Sequence, residues 1–131
     1  MSAAAEGGAW LAGGCHCGAV RWRVDPGAAP ELIDCDCSIC AMTGYLHLIV
    51  PAGRFAFERG EDRLTAYRFG TGAAAHLFCA TCGIKSVYRP RSHPDGWSVN
   101  ARCLDGGAPA HWPVIPFAGR ADWDAARAGL E

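Results

Sequence analysis

No stretch of this 131-residue chain approaches the roughly 20 consecutive apolar residues that a helix needs to cross a bilayer. The most apolar candidate strand, residues 45–50, is interrupted by His47 and ended by Pro51, so a helical membrane span is excluded and no membrane partner is expected. Charge of one sign is equally scarce. The 12 basic and 13 acidic residues leave a formal charge of −1 and are spread along the chain rather than gathered in blocks. The electrostatic footprint of a nucleic-acid binder is therefore missing. Residues 1–14 carry neither a basic region nor an apolar run suited to a secretion signal, which leads us to expect a cytoplasmic protein with reduced thiols. No internal repeat is present, and the 17 glycines and 8 prolines are dispersed as turn formers rather than concentrated in a linker. Half of the residues are apolar, enough at this length to bury one core, so a single domain over residues 1–131 is expected.

Helix signals are few. The best lies at the end, where Asp122 can cap a short helix carrying Trp123, Ala126 and Leu130 at helical spacing. A single turn over 38–43 would bring Cys40 near Cys37. The rest reads as short strands bounded by Gly, Pro or Asp: 19–24, 31–34, 45–50, 54–57, 63–69, 76–78, 84–89 and 97–101. The fold class is mainly β. Val20, Trp22 and Val24 alternate with Ala19, Arg21 and Arg23, and Leu46, Leu48 and Val50 alternate with Tyr45, His47 and Ile49, so each strand is expected to pack one face inward. Residues 90–96, with Pro94, Asp95 and Gly96, read as a long turn.

What the chain does have is cysteine in clusters. Seven of eight fall into Cys15-x-Cys17, Cys35-x-Cys37-x-x-Cys40 and Cys79-x-x-Cys82. Thiolates two or three residues apart can converge on one ion about 2.3 Å from each sulfur, whereas so short a loop closes only a strained disulfide. Phe78-Cys79-Ala80-Thr81-Cys82-Gly83 has the form of a metal knuckle, with glycine where the chain leaves the turn. Cys15-His16-Cys17-Gly18 offers a second, shorter pair. Together Cys15, Cys17, Cys79 and Cys82 make a saturated structural site, for which zinc is favoured over iron. Cys35, Cys37 and Cys40 are left as three thiolates with no obvious fourth ligand nearby in sequence. Three protein ligands and an open position are the pattern of catalytic zinc, and a thiolate-rich site favours an incoming thiol, which it would hold as the reactive thiolate. The alternative is a second structural site completed by a distant residue, for which Cys103 is the candidate. If 97–103 continues as one strand, however, Cys103 shares a face with Trp97, Val99 and Ala101 and reads as a core thiol.

The three clusters, in this order and separation, together with Gly18-Ala19-Val20 and Phe78, resemble the glutathione-dependent formaldehyde-activating enzyme family. The strings His47-Leu48-Ile49-Val50-Pro51, Pro90-Arg91-Ser92-His93-Pro94-Asp95-Gly96 and Val99-Asn100-Ala101-Arg102-Cys103-Leu104-Asp105 further resemble its branch related to centromere protein V. The likeness runs over about residues 13–126. It implies the β-tent fold, coiled β-sheets organised around zinc. It also implies that Cys15, Cys17, Cys79 and Cys82 hold a structural zinc and that Cys35, Cys37 and Cys40 hold a labile zinc used in thiol chemistry. The implied activity is that of a carbon–sulfur lyase, with condensation of glutathione and formaldehyde to S-hydroxymethylglutathione as the family's named reaction. The partners so implied are a small thiol and a small electrophile. The competing reading is a non-catalytic binding module with two structural metal sites.

Among other residues, His47 and His76 can donate to a metal-bound sulfur, shuttle protons or serve as hydrogen-bonded structural groups. His16 is expected to point away from the metal. Lys85, Arg89, Arg91 and Arg102 can pair with a substrate carboxylate or remain solvated surface charges. Asn100 and Asp105 can line a cleft or serve turns, and Tyr45, Trp97 and Trp112 are core or pocket wall.

Overall fold

The computed structural model describes residues 10–69, 72, 74–90, 93 and 95–117. The architecture is mainly β, as expected. A three-stranded antiparallel sheet has the order β1-β2-β5, formed by β1 (Leu11–Gly14), β2 (Arg21–Val24) and β5 (Phe55–Arg59). A seven-stranded sheet contains β3 (Leu32–Cys35), β4 (His47–Pro51), β6 (Leu64–Tyr67), β7 (Ala75–Cys79), β8 (Val87–Arg89), β9 (Gly96–Asn100) and β10 (Val114–Phe117) in the order β10-β3-β4-β9-β8-β7-β6. Its pairs are antiparallel apart from β10 with β3. The single turn expected at 38–43 is α1 (Ser38–Thr43). The helix expected around Asp122 lies outside the described residues.

The core lies between the sheets. Val20, Trp22 and Val24 are fully buried and pack with Leu48, Val50, Val87 and Val99 of the larger sheet. Trp22 is tolerated there because its Nε1–H donates to the buried Ser86 hydroxyl at 3.1 Å. Strand β2 follows the expected alternation: Arg23 is exposed, and Arg21 reaches out to Asp105 through two hydrogen bonds of 3.0 and 2.5 Å.

Strand β4 departs from it. Leu48 and Val50 enter the core, but Tyr45 and His47 on the other face are buried too. Directly opposed residues share a face of a sheet, and the register Ile33↔His47↔Asn100, Ile49↔Ser98↔Tyr88↔His76↔Tyr67 traces that second face across the strands. It carries polar and aromatic side chains where the core face carries valines and leucines.

Two strands lie outside those expected from the sequence. β1 is Leu-Ala-Gly-Gly, and β10 contains Pro116, which a sheet accepts because β10 is an edge. The strand expected at 97–101 stops at Asn100, whose Oδ1 accepts from the backbone N–H of Arg102 (3.1 Å) and of Leu46 (3.3 Å); a 3-10 turn, Ala101–Cys103, follows. Cys103 is therefore not on a continued strand face. It packs half-buried against the core, where burial pushes its thiol up to about 11.

Candidate metal centre

The fold brings the cysteines together in two groups. Sγ atoms of Cys15, Cys17, Cys79 and Cys82 lie within 4.8 Å of one another, and so do those of Cys35, Cys37 and Cys40. Cys103 joins neither, and none of the eight is bridged.

The quartet is built from two knuckles. Cys15 and Cys17 lie in the link between β1 and β2, which is closed by Gly18 N–H donating to Cys15 O at 3.3 Å, with Gly18 at φ +82°. Cys79 ends β7, and Gly83, at φ +77°, donates to Cys79 O at 2.8 Å. Each turn needs the left-handed region that glycine enters without cost. Backbone N–H groups point at the sulfurs: Val20 to Cys15 at 3.3 Å, Thr81 to Cys79 at 3.3 Å and Cys82 to Cys79 at 3.5 Å. The N–H of Cys82, aided by that of Thr81 against the opposing effect of burial, pulls the Cys79 thiol down to about 6.

Metal–sulfur bonds of ~2.3 Å in a tetrahedron set the sulfurs about 3.8 Å apart. Cys15 to Cys17 and Cys17 to Cys79 are each 3.7 Å. The quartet fits a four-thiolate ion that ties the small sheet to the large one.

The trio sits on the second face of the large sheet. Cys35 ends β3, Cys37 precedes α1, and α1 turns Cys40 back toward them, with Ala41 N–H donating to Cys37 O at 2.9 Å. Phe117, Ile33 and Ile39 pack around the sulfurs. Among themselves the sulfurs share charge unequally: hydrogen bonds from Cys35 and Cys40 pull the Cys37 thiol down, while Cys37 pushes Cys35 up and Cys35 pushes Cys40 up. Among the described residues no fourth His, Cys, Asp or Glu joins the group. The donor set fits a thiophilic ion with one position left for an outside ligand.

His47 is the trio's neighbour. Its Nε2 is 3.1 Å from Cys40 Sγ, and its Nδ1 faces the hydroxyls of Ser98 (3.0 Å) and Tyr88 (3.3 Å). Burial, with Lys85 adding to it, pushes its pKa down to about 3, so the ring is neutral with one N–H. If a hydroxyl donates to Nδ1, the N–H sits on Nε2 and faces the sulfur. Tyr45 donates its hydroxyl to Ser98 O at 2.6 Å, and its ring lies 4.6 Å from the imidazole. His76 stacks on Tyr88 at 4.9 Å and accepts from Lys85 Nζ at 2.7 Å; burial, then Lys85, pushes its pKa down to about 4.

The remaining candidates are placed as follows. His16 is exposed. Lys85 is not a solvated surface charge: it is 8 % exposed, its Nζ lying 4.8 and 4.2 Å from the ring centres of Tyr45 and Tyr88. Arg89 stacks on Trp97 at 3.8 Å, Arg102 donates to Gly44 O at 3.0 Å, and Arg91 lies outside the described residues. Asn100 is buried and ends β9, Asp105 pairs with Arg21, and Trp112 packs against the core. Sequence reasoning missed Ser98 and Tyr88. Their signal was the polar alternation Ser98, Asn100 within an otherwise apolar strand.

Among the described residues no helix is long and apolar enough to cross a membrane. A sequence model for the glutathione-dependent formaldehyde-activating enzymes matches residues 10–116, without singling out the branch related to centromere protein V. A Rhodobacter sphaeroides protein of known crystal structure is 36% identical and superposes with a TM-score of 0.71, over 81% of this chain and 98% of that one.

Proposed function

We propose, from the premise that this chain belongs to the glutathione-dependent formaldehyde-activating enzyme family, that it is a two-zinc enzyme joining a thiol to a small aldehyde or parting the two. Glutathione and formaldehyde are the pair the family name supports. Cys15, Cys17, Cys79 and Cys82 would hold the structural zinc, and Cys35, Cys37 and Cys40 the second. That second ion, when bound, supplies a place where an incoming thiol is held as its thiolate. In the overall reaction the sulfur forms a bond to the carbonyl carbon, the C=O becomes C–O–H, and the proton lost by the thiol ends on that oxygen. No electron acceptor is needed.

The observation that carries this reading is the contrast between the two clusters: four sulfurs gathered within 4.8 Å of one another in one, three with no fourth protein ligand among the described residues in the other. His47 acts by position. Its Nε2–H holds the Cys40 sulfur, and Ser98 and Tyr88 fix its tautomer. Burial, which pushes the His47 pKa down to about 3, argues against a shuttle role near neutral pH. Eight unbridged cysteines support a reducing compartment such as the cytoplasm. We take the chain as one domain, in which the quartet joins both sheets.

The test mixes zinc-loaded protein with glutathione and formaldehyde and follows adduct interconversion by exchange NMR. Catalysis predicts faster interconversion than in protein-free buffer. An equal rate removes this substrate pair and favours a non-catalytic zinc module.

A further inference from the structure

Lys85 is an ammonium buried without a carboxylate. No Asp or Glu among the described residues pairs with it, although burying a lone charge is costly enough that natural sequences nearly always pair it. Its position is not an accident of the strand pattern. Alternation back from Val87 would send residue 85 to the core face, but pairing of β8 begins only at Val87, and the preceding residues are not in a strand. Ser86 faces the core at Trp22, while Lys85 turns to the face of Tyr45, Tyr88 and His76. Asn100 Nδ2–H fixes this bend by donating to Lys85 O at 3.2 Å.

Two partial compensations are visible. The Tyr45 and Tyr88 ring faces attract the cation, and neutral His76 accepts one of its three N–H groups. The third lies through those same rings. Tyr45 and Tyr88 both flank His47, and His47 touches Cys40. The Cys40, Cys37 and Cys35 thiolates each raise the Lys85 pKa against the burial that lowers it to about 8.

We propose that Lys85 is the counter-charge of the three-cysteine site, a positioning residue that favours an anionic over a neutral fourth ligand. The inference rests on the reading of that site given above. Three thiolates around a dication leave one surplus negative charge, which Lys85 neutralises; a bound thiolate adds another, which Lys85 partly offsets. The ammonium acts through space. Enclosed by two rings and His76, it is not open to a substrate carboxylate.

The experiment loads the protein with cobalt(II) and titrates it separately with 2-mercaptoethanol, glutathione and imidazole, following the ligand-field and thiolate charge-transfer absorption. Lys85→Met is expected to weaken 2-mercaptoethanol on the order of tenfold, as loss of a through-space unit charge requires, and to leave imidazole affinity within about twofold. Equal weakening of both ligands, or of neither, overturns the proposal, since a merely structural role does not separate them. Loss confined to glutathione, with 2-mercaptoethanol unchanged, overturns it in favour of a direct carboxylate contact. If Lys85→Met does not load metal, Lys85→Gln, which keeps a donor for His76, carries the same comparison. A parent protein whose absorption ignores both ligands has no open position, and both the site reading and this inference fall.

Discussion

Replacing His47 by Phe keeps a flat ring between Tyr45 and Tyr88, whose centroids lie 4.6 and 5.5 Å away, and deletes both nitrogens. Three groups then lose a partner: the Ser98 hydroxyl at 3.0 Å, the Tyr88 hydroxyl at 3.3 Å and the Cys40 sulfur at 3.1 Å. All three residues are buried, so water does not easily replace the imidazole. At ~1 kcal/mol for each lost bond, and more for a hydroxyl left unsatisfied, the variant is destabilised by about 2–4 kcal/mol. For a chain of this length that lowers Tm by about 8–16 °C. Calorimetry and urea titration on metal-loaded protein measure it. A second change isolates the cause: Ser98→Ala added to His47→Phe removes the orphaned hydroxyl and should restore on the order of 1 kcal/mol, whereas alone it costs about as much. Stability within about 0.5 kcal/mol of the parent, or no coupling between the two positions, refutes the hydrogen-bonded role of this ring.

Further predictions concern the two clusters and their surroundings. Cys79→Ser should lower metal content by one ion and destabilise the chain by several kcal/mol, because the quartet links the two sheets; Cys37→Ser should lose the second ion with the fold intact, as circular dichroism and metal analysis would register. Gly83→Ala should cost about 1–2 kcal/mol in urea titration, with the full penalty due to φ +77°, since an added Cβ meets nothing within 4 Å. Acid should weaken the fold before carboxylates titrate. His47 and His76 remain neutral in the folded chain down to about 3 and about 4, while unfolded histidines take up protons near 6.5. The unfolded state then binds more protons, so stability present above about pH 6.5 is lost as pH falls from there toward about 4, and His76→Phe should show a shallower loss over that window.

The cysteine grouping was legible because ligand spacing along a knuckle is a local property, and the sulfurs that the fold gathers are those adjacent in sequence plus one pairing of distant knuckles. Strand β2 was legible for a similar reason: one face is buried and the other wet, so Trp22 and Arg23 announce their sides. Strand β4 was only half legible: its alternation puts one face inward, but both faces are buried, and Tyr45 and His47 on the second face form the lining beside Cys40. Lys85 was opaque. Its burial depends on where β8 pairing starts, which Ile84-Lys85-Ser86-Val87 does not reveal, and on Tyr45, forty residues away. Strand β1 was invisible because Leu-Ala-Gly-Gly lacks the β-branched residues that mark a strand, and β10 because Pro113 and Pro116 interrupt its Val114, Ile115 and Phe117; their pairing partners supply what propensity does not. Ser98 and Tyr88 matter only through a histidine on the neighbouring strand.

The most direct test of the central claim is zinc-edge anomalous diffraction from crystals soaked in glutathione. The account predicts two peaks, one inside Cys15, Cys17, Cys79 and Cys82, the other against Cys35, Cys37 and Cys40 with the soaked thiol's sulfur as its fourth neighbour. A single peak at the quartet, or a second ion closed by a fourth protein ligand that the thiol does not displace, would contradict it.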